Sequence, residues 1–285
     1  MNENKSKKLE NEAIHEPSRQ YFIPAQIVHN FSQKGRDHLN RKTNSQFILS
    51  LQAGAFMAFG AAFSVLLSMG IDIKGLSHLM AGLGFATGYA MVFLSGAILF
   101  TEVNVLLPSY VFQKPSIMST KILKFWLATY CGNILGALFV GTLIILSKSL
   151  SPEFYQELNT YINQNKMSFL ADGTWGFFQI VISGILANWL IGMAAFLTTA
   201  ARDITGKIIG TLLPVTLFVA GNFQHSAANM GYFSIGIFTN DTYSWYQFLL
   251  YNLIPASIGN IIGGAIMVSL LFSFAYKDDI ENDIK

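Results

Sequence analysis

The chain is 285 residues long, 52% hydrophobic and only 12% Asp, Glu, Lys or Arg, about half the ~25% charge of soluble globular domains. Thirteen of its 34 charged residues lie in 1–46 and six in 276–285, which leaves 15 for the 229 residues between. So few charges cannot clothe a water-soluble surface; nucleic-acid binding, a disulfide scaffold and an ordinary soluble enzyme are excluded, and a polytopic membrane protein with polar tails is implied.

The hydrocarbon layer of a bilayer is roughly 30 Å thick, and a helix rising about 1.5 Å per residue crosses it in about 20 apolar residues. Residues 1–46 form a polar tail without the apolar core of a signal peptide, so the first span is expected to act as the insertion signal. From Tyr21 to Lys42 the tail sets Ile27, Val28 and Phe31 against Lys34, Arg36, Arg41 and Lys42; a short helix at the membrane surface and a solvated tail both fit. Six apolar runs follow at about 47–69, 77–107, 122–147, 176–200, 208–235 and 247–275, the second and fifth interrupted by polar or glycine-containing stretches. Residues 47–275 therefore read as an all-α domain of six transmembrane helices, and 276–285 as a second polar tail. The one cysteine, Cys131, lies in the third run, where it reads as inert packing.

Counted alternately along the tails and loops, 15 of the 18 Lys and Arg residues fall on the side of both termini, and only Lys74, Lys148 and Lys166 on the other. Both termini are thus expected in the cytoplasm. Trp175, Tyr243, Trp245 and Tyr246 then fall at the outer interface and Trp126 at the inner one, as an aromatic belt would.

Self-comparison reveals an internal repeat. GAILFTEVN at 96–104 in the second run matches GNFQHSAAN at 221–229 in the fifth, aligning Thr101 with Ser226 and Asn104 with Asn229 at an offset of 125. GNILG at 132–136 matches GNIIG at 259–263 at an offset of 127. The first and fourth runs share only small residues, Gly54, Ala58 and Gly60 against Gly184, Ala187 and Gly192. A repeat of three spans enters the membrane inverted in its second copy, the design of transporters and channels whose pathway lies near the midplane. The polar pieces 95–104 and 221–230 are read as helix breaks meeting there, because non-helical backbone inside a bilayer survives only against protein or a cavity. The glycines spaced four apart in GNILG and GNIIG are read as close helix packing.

Among the acidic, basic and histidine residues only Glu102 and His225 fall at depth within the runs, both in the matched breaks, where such groups usually face a cavity. Two readings of His225 stand: a neutral imidazole bonded to backbone at a helix break, or a group that attracts an anion or passes it a proton. For Glu102 the alternatives are a pathway carboxylate and one that pairs with backbone or caps the second half-helix.

The pattern LSGAILFT at 94–101, GILANWL at 184–190, FQHSAANM at 223–230 and IPASIGNIIGG at 254–264 resembles the formate/nitrite transporter family over roughly residues 25–275. The resemblance implies an aquaporin-like protomer in the inner membrane, assembled as a homopentamer, each protomer with its own pore for small monovalent anions. Position by position, it implies that His225 is the central histidine and Thr101 the hydroxyl that bonds it. It further makes Leu99, Phe100, Phe85 and Phe218 apolar residues of the constrictions and Asn188 the polar residue of the fourth span. Glu102, Asn104, Ser226 and Asn229 would support the breaks. No cofactor or metal is implied.

Three positions depart from the family pattern. Where members often carry a vestibule lysine, sixteen residues before Asn188, this chain has Asp172, the nearest lysine being Lys166. Gln224 replaces the acid common before the central histidine, and Ile98 the polar residue common before Leu99. The mechanism expected is entry of a weak-acid anion, neutralisation by a proton at or near His225, and passage of the neutral acid through the apolar rings. Formate is the leading substrate, with nitrite, hydrosulfide and lactate as alternatives. A membrane enzyme built on His225 and Glu102 would want more converging polar groups, and a water or glycerol channel would want an Asn-Pro-Ala pair at the breaks.

Overall fold

Of the polar tails, residues 1–20, with His15, and 284–285 lie outside what the computed structural model describes, namely 21–117 and 120–283. The described chain is helical apart from one isolated bridge between Tyr21 and Ala201. In order come α1 (Pro24–Asn40), α2 (Thr43–Ser68), α3 (Lys74–Ser95), α4 (Phe100–Gln113), α5 (Thr120–Ser147), α6 (Pro152–Tyr161), α7 (Thr174–Ala200), α8 (Ile204–Ala220), α9 (Ser226–Thr239), α10 (Trp245–Ala275) and α11 (Lys277–Asp283). In hydrocarbon only intrahelical bonds satisfy the backbone, so uncharged runs become unbroken helices. Accordingly α2, α3, α5, α7 and α10 are each long and apolar enough to cross a membrane. The second and fifth runs are each divided, into α3 with α4 and α8 with α9.

The breaks are shorter than the sequence suggests. They span 96–99 and 221–225, so Thr101, Glu102 and Asn104 lie in the first turns of α4, and Ser226 and Asn229 in those of α9. The first break begins where Gly96 takes φ of 72°, a left-handed conformation that costs glycine nothing. In the second, that conformation falls to Asn222, at φ of 55°, and asparagine is among the few side chains that tolerate it.

The glycine pairs do pack helices. A methyl group on Gly132 or Gly136 of α5 would run into Ser50 or the Leu51 carbonyl of α2. On Gly259 or Gly263 of α10 it would strike the Val181 or Ile185 carbonyl of α7. The segment from Tyr21 to Lys42 forms the helix that is one of its two expected states, and α1 buries Ile27, Val28 and Phe31 against Val105, Leu106, Phe196 and Val268. Phe31 meets Phe196 edge to face at 6.1 Å. Cys131 is exposed and not packed within the chain. Leu123, Leu127, Phe139, Phe178, Leu213 and Phe274 are exposed as well, as residues facing lipid or a neighbouring protomer would be.

Candidate functional site

A helix break inside a membrane needs partners for its loose N–H and C=O groups. The amides of the two Gly-Asn pairs supply them. Asn133 of α5 accepts from the Phe100 N–H at 2.8 Å and donates to the Ile98 carbonyl at 3.0 Å and the Ser50 carbonyl at 2.7 Å. Asn260 of α10 accepts from the Ser226 N–H at 2.7 Å and donates to the Gln224 carbonyl at 3.1 Å and the Gly184 carbonyl at 2.9 Å. The two clamps are alike group for group, and each bridges one residue: Leu99 in the first break, His225 in the second. They align Phe100 with Ser226, which corrects the sequence alignment of Thr101 with Ser226 by one position.

His225 is fully buried and is the N-cap of α9, its Nδ1 accepting from the Ala228 N–H at 3.2 Å. That bond uses the Nδ1 lone pair, so the neutral ring carries its hydrogen on Nε2. The Tyr89 Oη stands 3.1 Å from each ring nitrogen. Around the imidazole the rings of Tyr89 and Phe218 lie at centroid distances of 5.8 and 5.4 Å. Phe85 stands 6.0 Å from Phe218 and from Tyr89, and Leu99 belongs to the same buried cluster. The half-helices α4 and α9, which touch, both begin here. Their N-termini bring unbonded N–H groups and the positive ends of two dipoles to the site.

An aromatic column leads away on each side. Toward α6, Phe85 stacks on Tyr232 at 5.5 Å, and Tyr232 meets Tyr161 at 4.8 Å with the rings tilted by 43°. The Lys166 Nζ lies over both tyrosines, 5.2 Å from the Tyr161 centroid and 5.8 Å from that of Tyr232. Lys166 is 2% exposed, and burial lowers its ammonium to about 7. The Lys166 carbonyl accepts from Asn252 Nδ2, which also donates to Gln224 Oε1. Asn229 Nδ2 donates to that same oxygen and to Asn252 Oδ1. Toward α1, Tyr89 meets Phe93 at 5.7 Å, and Phe93 lines a cavity of about 350 Å³ with Lys34, Glu102, Thr199, Arg202 and Lys207. The buried Glu102 is paired there with Lys34 Nζ at 2.6 Å.

His225, Phe85 and Phe218 are therefore brought together, and Leu99 is buried at the end of the first break in the same core. Asn188 is buried beside them, donating to the carbonyls of Thr101 at 3.2 Å and Asn260 at 2.6 Å. Phe100 is not part of the ring group; it meets Tyr130 of α5 edge to face at 4.9 Å. Among the described residues Thr101 Oγ1 has no hydrogen-bond partner, and Tyr89 holds the place at the histidine that the resemblance assigns to it. Asn188 Oδ1, Ser226 Oγ, Asn229 Oδ1 and both amide atoms of Asn104 are likewise buried without partners. Sequence reasoning missed Tyr89, although its place one helical turn after Phe85 was a signal. It missed the clamping role of Asn133 and Asn260, which their recurrence could have shown. Lys166 is brought to the column by the turns after α6, while Asp172 ends a short exposed turn.

Comparison with known proteins agrees with this fold. A family model described as formate/nitrite transporter matches residues 25–274. A probable formate transporter of Methanothermobacter thermautotrophicus is 34% identical over 245 residues, covering 80% of this chain and 88% of that protein. The formate channel FocA of Escherichia coli strain K12 is 29% identical over 298 residues, 92% of this chain and 96% of that one. A solved pentameric formate channel with formate bound matches with a TM-score of 0.72 at 26% identity, covering 82% of this chain and 98% of that one.

Proposed function

The chain belongs to the formate/nitrite transporter family, and from that premise we propose that it carries formate or a closely similar weak-acid anion through a pore in each protomer of a homopentamer, the anion taking a proton at His225. Family members are channels and transporters, so the protein is a membrane transport protein and not an enzyme. The observation that carries the finer reading is His225, buried in a ring of apolar side chains where two half-helices begin. The matching clamps of Asn133 and Asn260 support two inverted repeats, about 47–147 and 176–275, meeting at that point. The Lys and Arg bias supports cytoplasmic termini, so the cavity of Lys34, Arg202 and Lys207 opens inward and Lys166 faces the outer vestibule.

The chemistry follows from solvation. A bare carboxylate between Phe85, Phe218 and Leu99 costs several kcal/mol or more, and the neutral acid far less. Cations at both ends and the positive helix ends at the centre draw the anion in, and the partnerless hydroxyls of Thr101 and Ser226 offer it hydrogen bonds in place of water. The imidazolium gives one proton to the carboxylate, the neutral acid leaves through the apolar rings, and the neutral ring caps α9 again. Flux therefore rises as pH on the entry side falls.

The test is formate uptake into proteoliposomes against pH. His225→Asn keeps a good helix cap and removes the titrating ring; it is expected to assemble and to lose the pH-dependent flux. An assembled His225→Asn protein with an unchanged pH profile would refute proton transfer at this residue.

A further inference from the structure

Resting on the anion-pathway reading above, we propose that Tyr89 is the second hydrogen-bond donor of the anion site and makes the pathway selective for a small planar anion with two oxygens on one atom. Tyr89 follows Phe85 by one turn on α3, so the two share a helix face. It is fully buried, and its ring, in contact with Phe85, Phe93, Phe218 and His225, closes the space at the level of the imidazole.

The hydroxyl is the unusual part. Its hydrogen-bond partners among the described residues are the two nitrogens of His225. The oxygen is equidistant from the two nitrogens and so lies on neither N–H axis. Nδ1 already accepts from the Ala228 N–H, which leaves Nε2–H without an aligned acceptor and the phenolic hydrogen with only a shared claim on Nδ1 and on the neighbouring Thr101 hydroxyl. Tyr232, on the same column, donates to Ser64 Oγ at 3.0 Å and has a settled partner. A buried hydroxyl hydrogen without a full acceptor is costly, and here it points to an acceptor that comes and goes. An anion entering between the two side chains meets Nε2–H from one wall and Oη–H from the other. Formate or nitrite satisfies both donors with its two oxygens. Hydrosulfide can turn its one sulfur to both donors but is a weak acceptor and gains little from the second, and the substituent of lactate meets the phenol ring.

The experiment compares formate, hydrosulfide and lactate flux in proteoliposomes of the wild type, Tyr89→Phe and Tyr89→Leu, after gel filtration has shown the same oligomer. Tyr89→Phe keeps the ring and removes one donor; formate flux is expected to fall roughly fivefold to tenfold, the worth of one hydrogen bond, with hydrosulfide flux within about twofold. Tyr89→Leu is expected to lower the formate-to-hydrosulfide ratio likewise and to admit lactate. A purely structural role would move formate and hydrosulfide together, so an unchanged ratio in Tyr89→Phe overturns the proposal. If that variant does not assemble, the ratio in Tyr89→Leu decides in the same way. A wild type that carries neither anion rejects the transport reading itself, a distinct result.

Discussion

Asn260→Ala removes three hydrogen bonds from one side chain, and the structure says which of the groups left behind suffer. The Gly184 carbonyl, inside α7, keeps its intrahelical bond. The Ser226 N–H, first in α9, and the Gln224 carbonyl in the break lose the side-chain partner the clamp provides. At about 1–3 kcal/mol for each buried group left unsatisfied, the loss of stability is about 2–6 kcal/mol. Side-chain hydrogen bonds within membranes average about 0.6 kcal/mol each, which sets a floor of about 2 kcal/mol for all three. Ser226 and Gln224 flank His225, so the substitution is also expected to misplace the imidazole and reduce formate flux. Asn133→Ala orphans the equivalent Phe100 N–H and Ile98 carbonyl and is expected to destabilise by a similar amount, yet to leave the His225 cap and the pH profile of the residual flux intact. Unfolding in SDS titrations gives the free energies, and proteoliposome uptake gives the flux. A loss below about 1 kcal/mol with normal flux in Asn260→Ala would show that the break does not depend on the clamp.

Lys166→Gln tests the outer cation: an ammonium held at about 7 is charged below that value and neutral above it. Its pull on anions is present at acid pH and fades as pH rises through about 7, so the variant should lose several-fold formate flux near pH 6 and little near pH 8. Lys34→Met leaves the buried Glu102 unpaired and is expected to cost roughly 1–3 kcal/mol, less than the ~3–5 of a fully buried pair because Lys34 keeps 35% of its side chain exposed; adding Glu102→Gln should restore most of it in a double-mutant cycle. Burial, with Lys34 and Arg41 nearby, holds His38 of α1 down to about 3 from an ordinary 6.5. The unfolded ring therefore takes its proton first, and stability present in full above about 6.5 is lost as pH falls toward 3, at up to ~1.4 kcal/mol per unit. Protection of the α1 amides, taken relative to the intrinsic exchange rate at each pH, should fall between about pH 6.5 and 4.5, and His38→Leu should flatten that dependence.

The sequence carried the broken helices because glycine and polar residues interrupt otherwise apolar runs, and it carried His225 because a histidine at that depth has few structural excuses. It carried less of what holds His225 in place. The glycines of GNILG and GNIIG announced close packing, and that announcement masked the asparagines between them, whose partners are backbone groups more than thirty residues away. An alignment on like residue types matched Thr101 with Ser226, whereas hydrogen bonds match Phe100 with Ser226. Counting sixteen residues back from Asn188 reached Asp172, because spacing measured across a loop says little once α6 and two further turns fold that loop back. The Lys34–Glu102 pair joins residues 68 apart in sequence, with no periodicity to reveal it.

The asparagine clamps bear on how the protein meets bilayers of different thickness. Spans longer or shorter than the surrounding hydrocarbon adjust by tilting, at fractions of a kcal/mol per Å, and such adjustment moves helix ends most. The clamps tie each break to the interior of neighbouring helices, at Ser50 and Asn133 on one side and Gly184 and Asn260 on the other, where α2 and α5, and α7 and α10, are locked together through glycine. Tilt pivots about those crossings. The geometry at His225 is thus mechanically insulated from the membrane, and the flux of one protomer should change little between short-chain and long-chain lipids even as its stability follows the mismatch.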